Sequence, residues 1–359
     1  MRILVIRRDN IGDLVCTTPL LAGLRARYPG AHIAALVNSY NAEVLDNNPH
    51  IDAVHSYTKL KHRRPGESRL AILLERVRML ARLRRERFDF VVLAKGGFDR
   101  QGLGFARQLR RQQVVGFADS GKRVARFVTI PVPVQAYPEL HEVQVLSILA
   151  AAMDSHEAEG PLQVYPSQAR MDAWRAHLPQ LRARDRVWVA VHISAREPGR
   201  RWATPNWVEF ARRLTATGNI GVVLLWAPGP PDDPRHPGDD NKAADILARA
   251  SNSPSMLAAP TSSLADLSAV LALCDAFVGA DGGAMHLAAA VGLPMVALFE
   301  NRDDKKKRWH PWRVPYELVA PSTLDIADIT VEQLLQGWQR LVERVPLGAN
   351  ARAVWPAAS

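Results

Sequence analysis

Short apolar runs alternate with helical patterns along most of the chain. Residues 2–7 and 31–37 read as buried strands with a helix from about Pro19 to Tyr28 between them, and a further strand covers Phe88 to Leu93. Such alternation predicts parallel sheet covered by helices. Ahead of that last strand, Leu70, Leu73, Leu74, Val77, Leu80 and Ala81 follow the i, i+3, i+4, i+7 rule, and Arg69, Arg76, Arg82 and Arg85 fall between them. This spacing predicts a helix whose leucine stripe is core and whose arginines are exposed.

The rhythm breaks at DSHEAEGPLQVYPS, residues 154–167, after a helical run from roughly His141 to Met153. Gly160, Pro161 and Pro166 there mark a domain boundary. We place one α/β domain at 1–158, a second at 159–345 and a loosely held tail at 346–359. The second half restarts with strands near 186–192, 219–226, 275–280 and 294–299. Its helices fall near 206–216, 241–250, 264–273 and 283–291. The stretch APGPPDDPRHPGDD, residues 227–240, is too rich in proline, glycine and aspartate for either element and reads as a long loop.

Composition narrows the class. A chain of 359 residues exceeds the size at which one core stops growing, which supports two domains. The apolar core of the opening MRILVIRRDN is too short for a signal peptide, and the richest apolar run, Leu287 to Phe299, is broken by Gly292 and Pro294. Cys16 and Cys274 lie far apart in apolar segments, which suits buried thiols in a reducing compartment. A bacterial-type cytoplasmic protein is expected. The net charge of +10 is unevenly spread, because residues 59–126 hold 19 basic against 6 acidic side chains. Lys61, Arg63, Arg64, Arg82, Arg84, Arg85, Arg110, Arg111, Lys122 and Arg123 belong to that excess. This is a polyanion-seeking surface. It lacks a recognisable nucleic-acid reader motif and the arginine–aromatic interleaving of single-strand binders, so no nucleic-acid partner is expected.

Two stretches carry candidate chemistry. In VGADGGAMHLAAAVGLPMVALF, residues 278–299, a strand ends at Ala280, Asp281 sits at its carboxyl end, and Gly282 and Gly283 turn the chain into a helix closed by Gly292. Backbone N–H groups at such a start approach an anion closely, and the helix dipole adds attraction for phosphate. His286 is near enough to reach the same ligand; the plainer alternative is a tight βα turn capped by Asp281. In VHISAREPGRRWATPNW, residues 191–207, Ser194, Arg196, Arg200 and Arg201 follow a strand, and Thr204-Pro205 opens a helix. Arginines there are placed to clamp phosphate, or are ordinary surface arginines over a core containing Trp202 and Trp207. A third position is Asp13, an aspartate after a glycine at the end of the first strand.

These stretches, together with MRILVIRRDNIGDLVCTTPLL at the start, resemble in order and spacing the ADP-heptose:lipopolysaccharide heptosyltransferases, glycosyltransferase family 9. The resemblance implies a GT-B fold, an α/β architecture of two Rossmann-like domains with mainly parallel sheets facing across a cleft. It further implies an acceptor site on the first domain and a nucleotide-sugar site on the second. The implied activity is inverting transfer of heptose from ADP-heptose to a lipopolysaccharide inner-core acceptor, an anionic saccharide or a lipid-linked one, at the cytoplasmic surface of the inner membrane. No oligomeric state follows.

In that family the proposed general base is the aspartate of the amino-terminal Gly-Asp pair, which falls on Asp13. Gly12 would keep bulk away from the reacting sugars, Thr17 or Thr18 with Pro19 would start the helix behind, and Arg63 and Arg64 would meet the acceptor. The family's lysine in the middle motif aligns with Arg200 or Arg201 only if one residue is inserted. Ser194, Asp281, Gly282, Gly283 and His286 match the donor side, with Arg196 and Arg201 as further donor-binding candidates on the same loop. With arginines available for the diphosphate and no cluster at metal-ligand spacing, neither metal nor cofactor is expected. This chain departs from the family at Gly282, where threonine or serine is frequent, and at Ala195, which lacks a common hydroxyl. A proline-rich loop stands where an acidic residue often meets the ribose, with Asp232 or Asp233 as substitutes. A dinucleotide oxidoreductase is disfavoured, because the first βα junction, RRDNIGD, lacks G-x-G-x-x-G. The more serious alternative is a GT-B protein that binds or epimerises a nucleotide sugar without transferring it.

Overall fold

The computed structural model describes residues 1–58, 68–109, 113–119, 125–135, 137–182, 186–216, 218–233, 237–250 and 255–348. Arg63 and Arg64, with Lys61, Arg110, Arg111, Lys122 and Arg123, lie outside the described residues, as does the tail from 349. The chain forms two compact units, Met1–Gln163 and a second from Val164 onward.

The first unit contains β1 (Arg2–Ile6), α1 (Ile11–Val15), α2 (Thr18–Arg27), β2 (His32–Asn38), β3 (Ala53–Tyr57), α3 (Arg69–Glu86) and β4 (Phe90–Leu93). It continues through α4 (Arg100–Ala106), β5 (Gln113–Phe117), β6 (Ile130–Val132) and α5 (Glu142–Ala151). The strands form one parallel sheet in the order β3-β2-β1-β4-β5-β6. Ile3, Leu4, Val5 and Ile6 are at most 1 % exposed, as expected for a central strand covered on both faces. Ile3 sits beside Ile33 of β2 and Phe90 of β4.

The face of α3 differs from expectation. Leu80 is buried, but Leu70, Leu73, Leu74 and Val77 are 71, 56, 54 and 55 % exposed, and Ala81 is exposed too. The helix instead buries Ile72, Met79, Leu80 and Leu83, the last three in a cluster with Tyr57, Phe88 and Phe105. Residues 72, 79 and 83 also recur at helical spacing, so α3 carries two apolar stripes on nearly opposite faces. Periodicity alone does not say which of them meets the sheet.

The second unit contains α6 (Gln168–His177), β7 (Val187–His192), α7 (Thr204–Thr215), β8 (Ile220–Trp226), α8 (Asp240–Ala250), β9 (Met256–Pro260) and α9 (Leu264–Leu271). It ends with β10 (Ala276–Ala280), α10 (Gly283–Ala290), β11 (Met295–Leu298), α11 (Asp303–Trp309), β12 (Tyr316–Val319) and α12 (Val331–Arg344). Its parallel sheet runs β12-β11-β10-β7-β8-β9. Counted from the first strand of each unit, both sheets have the doubly wound order 3-2-1-4-5-6. These are two Rossmann-like domains. Trp202 and Trp207 belong to the second core, with rings edge to face at 4.8 Å. Both cysteines are buried. Among the described residues no helix is long and apolar enough to cross a membrane.

In each sheet the strand order reverses at one point, between β1 and β4 and between β7 and β10. Open α/β sheets bind ligands just beyond the carboxyl ends of the strands at that point.

Candidate functional site

Beyond β1 the chain turns through Arg7–Asn10 into α1, and groups from the end of β2 fix that turn. Asn38 Nδ2 donates to the Arg8 carbonyl at 2.5 Å, Tyr40 Oη to the Asp9 carbonyl at 2.7 Å and Asn41 Nδ2 to the same carbonyl at 3.2 Å. Asp13 stands in the first turn of α1, where its Oδ2 accepts from the Asn10 backbone N–H at 3.0 Å. Asp13 thus supplies one bond of a capping box at the start of α1. Its Oδ1 accepts from Arg7 Nη2 at 2.5 Å. Each oxygen thus takes one fixed bond, half of what a carboxylate can accept. The side chain keeps 16 % of its surface open.

Arg7 is the hub of this end of the sheet. Its side chain is 2 % exposed, and Nη1 donates to the Ala94 carbonyl at 2.6 Å, just past β4, and to Glu142 Oε1 at 2.8 Å on α5. Burial alone would lower its pKa, but Glu142, Asp13 and Asp9 outweigh that and hold it above its ordinary value. One buried cation therefore ties β1, β4, α1 and α5 together and sets the direction of Asp13. Gly12 is buried in the same turn of α1. Helix α2 begins at Thr18 with Thr17 at the cap position, yet the Thr17 hydroxyl donates back to the Asp13 carbonyl at 2.8 Å and caps nothing.

In the second unit the loop after β7 lies beside the turn after β10. Arg200 reaches Asp281 Oδ2 from Nη2 at 3.2 Å, donates Nη1 to the Asp281 carbonyl at 3.3 Å and Nε to Glu300 Oε2 at 3.3 Å. Lys305, on α11, pairs with the same Glu300 oxygen. Arg201 turns the other way and donates Nε to the carbonyl of Ala195 in its own loop at 2.8 Å. Of the two arginines left open by the sequence, Arg200 is the one at the turn. Arg196 is exposed on the same loop. Ser194 Oγ accepts from the Ala227 N–H at 3.0 Å and so ties the ends of β7 and β8.

Asp281 is 7 % exposed, and burial raises its pKa while Arg200 and Lys305 pull it down and Glu300 pushes it up. It does not cap α10, whose cap position is Gly282. A Cβ at Gly282 would meet only the Ala280 carbonyl oxygen, at 4.0 Å, so packing leaves room there for a larger residue. Gly283 starts α10, and Gly292, at φ +81°, ends it in the left-handed region that favours glycine. His286 is 2 % exposed, with its ring edge-on to Trp309 at 6.0 Å. It stands in the first turn of α10 and packs against the end of α11.

Beneath the loop, Lys242 Nζ donates to the carbonyls of Ile193 and Trp202, at 3.2 and 3.0 Å, and so fixes both ends of the arginine segment. Burial lowers the pKa of Lys242, with Arg201 adding to the effect and Asp239 opposing it. His192, at the end of β7, is pushed down to about 4, by burial first and then by the charge of Lys242. In the proline-rich loop the organising acid is Asp240, which accepts from Trp226 Nε1 at 2.7 Å and from the Gly229 N–H at 2.9 Å. Asp232 is exposed, and the Asp233 N–H donates to the Pro230 carbonyl at 3.4 Å. Among the described residues no group of three or more His, Cys, Asp or Glu side chains could hold a metal ion.

Sequence reasoning missed Arg7, Glu142, Lys242, Glu300 and Lys305. Glu300 had a readable signal, since it follows a strand end just as Asp281 does. Glu142 had none, being 135 residues from its partner.

The model of glycosyltransferase family 9 (heptosyltransferase) matches residues 76–335, a span that contains both the arginine loop and the glycine turn. Lipopolysaccharide heptosyltransferase 3 of Escherichia coli is 23 % identical over 308 residues, covering 84 % of this chain and 83 % of the relative. Two solved structures share the fold over 95 % of this chain. One is a family 9 glycosyl transferase from Veillonella parvula (TM-score 0.77, 15 % identity, 97 % of that chain). The other is E. coli heptosyltransferase WaaC with ADP (TM-score 0.74, 18 % identity, 99 % of that chain). The fold is thus that of the GT-B heptosyltransferases. With two Rossmann-like domains, an arginine loop facing a glycine turn in the second, and a family model spanning most of the sequence, the chain belongs to glycosyltransferase family 9 (heptosyltransferase) and is a glycosyltransferase.

Proposed function

We propose that the protein transfers heptose from ADP-heptose to an anionic, lipid-linked inner-core acceptor of lipopolysaccharide, with inversion at the anomeric carbon. The observation that carries this reading is the pair of arginine–carboxylate clusters at the two switch points, Arg7–Asp13 in the first unit and Arg200–Asp281–Glu300 in the second. The names of the relatives supply the sugar and the nucleotide.

In this reading an acceptor hydroxyl attacks the anomeric carbon from the face opposite the diphosphate. A new carbon–oxygen bond forms, the bond to the diphosphate breaks, and its electron pair leaves on the terminal phosphate oxygen of ADP. The hydroxyl proton passes to the open edge of Asp13, whose orientation Arg7 fixes. Arg200 and Lys305 exchange part of their carboxylate contacts for the leaving phosphate, and the free N–H groups opening α10 add to its neutralisation. Arg196 and Ser194 line the same loop, and His286, in the first turn of α10, belongs to the donor side. Because these cations suffice for the charge, turnover is metal-independent, and EDTA leaves the rate unchanged.

The test is conversion of ADP-heptose and a purified inner-core acceptor, with the anomeric configuration of the product read by NMR. Inverted configuration supports the reading. Retention, or turnover only with a different nucleotide sugar, overturns it.

A further inference from the structure

The outward face of α3 takes no part in either cluster. Leu70, Leu73, Leu74 and Val77 are each more than half exposed and form one stripe over the first turns of an 18-residue helix. Arg78, Arg82, Arg84 and Arg85 follow on the exposed side of the later turns, with Glu75 as the exposed acid of the helix. Glu86 is turned to Arg2, at 3.0 Å, and to His55, at 2.8 Å. The inner stripe already anchors α3 to the sheet, so the outer leucines are not needed for folding. Four large apolar side chains left in water on one helix face mark an interaction surface.

The charge around that stripe identifies its occupant. A second copy of the chain would bring its own +10 and set one arginine-flanked face against another. An anionic bilayer receives the leucines in its interfacial zone and neutralises the arginines with headgroup phosphates. We propose that α3 is a membrane-docking helix, with Leu70, Leu73, Leu74 and Val77 entering the bilayer interface and Arg78, Arg82 and Arg85 meeting anionic lipid. The partner is a lipid surface, and the docking does not depend on which sugar is transferred.

Co-sedimentation of the full-length protein with vesicles tests this without any assay of turnover. Vesicles of phosphatidylcholine with about 30 % phosphatidylglycerol bind the protein, and phosphatidylcholine alone binds it weakly. Replacing Leu70, Leu73, Leu74 and Val77 together with serine lowers partitioning about tenfold or more, with the circular dichroism spectrum unchanged. Arg78→Gln, Arg82→Gln and Arg85→Gln together remove the preference for the anionic vesicles and leave the leucines in place. Equal partitioning of the serine variant and the parent overturns the proposal. So does a parent dimer in sedimentation velocity that the serine variant converts to monomer, because a second copy would then cover the face.

Discussion

The two switch points use the same parts with opposite presentation. In the first unit the arginine is the buried partner, Arg7 at 2 % exposure, and the carboxylate of Asp13 is the more open one at 16 %. In the second the carboxylate is buried, Asp281 at 7 %, and Arg200 is the more open at 23 %. A common strand order thus presents an oriented carboxylate at one site and an oriented cation at the other. In the proposed reaction the inward partner positions and the outward partner meets the ligand. That division is what transfer from an anionic leaving group needs, one charge to receive a proton and the other to receive a phosphate.

The largest expected effect comes from removing the outward charge of the first site. Asp13→Asn keeps the shape and, with its oxygen on the Asn10 N–H, the capping bond, but its amide nitrogen then faces Arg7 and the side chain cannot take a proton, so turnover falls roughly 10²-fold or more while nucleotide-sugar affinity by calorimetry hardly changes. Near-normal turnover in a folded variant would reduce Asp13 to its capping bond and break the parallel between the sites. Arg200→Ala acts differently, because in the proposed reaction its charge meets the diphosphate in both ground and transition states. Affinity and turnover each drop about tenfold. The same change leaves the buried Asp281 carboxylate with only the charge of Lys305 to offset Glu300 and lowers stability by about 2 kcal/mol, read from urea denaturation.

How much of this was legible follows from where each signal resides. Central strands such as β1 and β8 announce themselves as unbroken apolar runs because both faces are buried. The short β6 and β12 carry too few residues to show a pattern and are held by their neighbours in the sheet. The glycine turn was readable because its conformation is local. Arg7–Glu142 was not, because the pairing exists only once α5 packs on the sheet. At α3 the sequence held two valid stripes, and only the cluster of Tyr57 and Phe105 decides which one turns inward. At residue 200 the inserted position left two arginines equivalent until the loop geometry separated them.

A smaller effect distinguishes the floors of the two sites. The last residue of β1 is Ile6, whereas β7 ends in His192, whose pKa in the fold is about 4 against an ordinary 6.5. Between those values the unfolded chain binds a proton that the folded chain refuses. Stability from this group is therefore complete above about pH 6.5 and lost as the pH falls towards 4. His192→Asn flattens that part of the profile of Tm against pH. An unchanged slope would assign the acid sensitivity to other groups, such as His55, whose pKa burial also lowers.

The smallest expected change is at Gly282, and it sharpens the donor side most directly. Its φ of 162° is extended backbone open to any residue, and a Cβ has room. Gly282→Ser places a hydroxyl at the cap of α10, where it accepts from an N–H of the first turn and stabilises the helix by a few tenths of a kcal/mol relative to glycine. The same hydroxyl lies where the departing phosphate would bind. If the turn is the diphosphate site, ADP affinity changes measurably, up if the serine donates to phosphate and down if it occupies the N–H groups the phosphate needs. Urea denaturation reads the first effect and calorimetry with ADP the second. A gain in stability with ADP affinity unaltered would leave Arg200 and Lys305 as the groups that hold the phosphate and remove the helix start from the site.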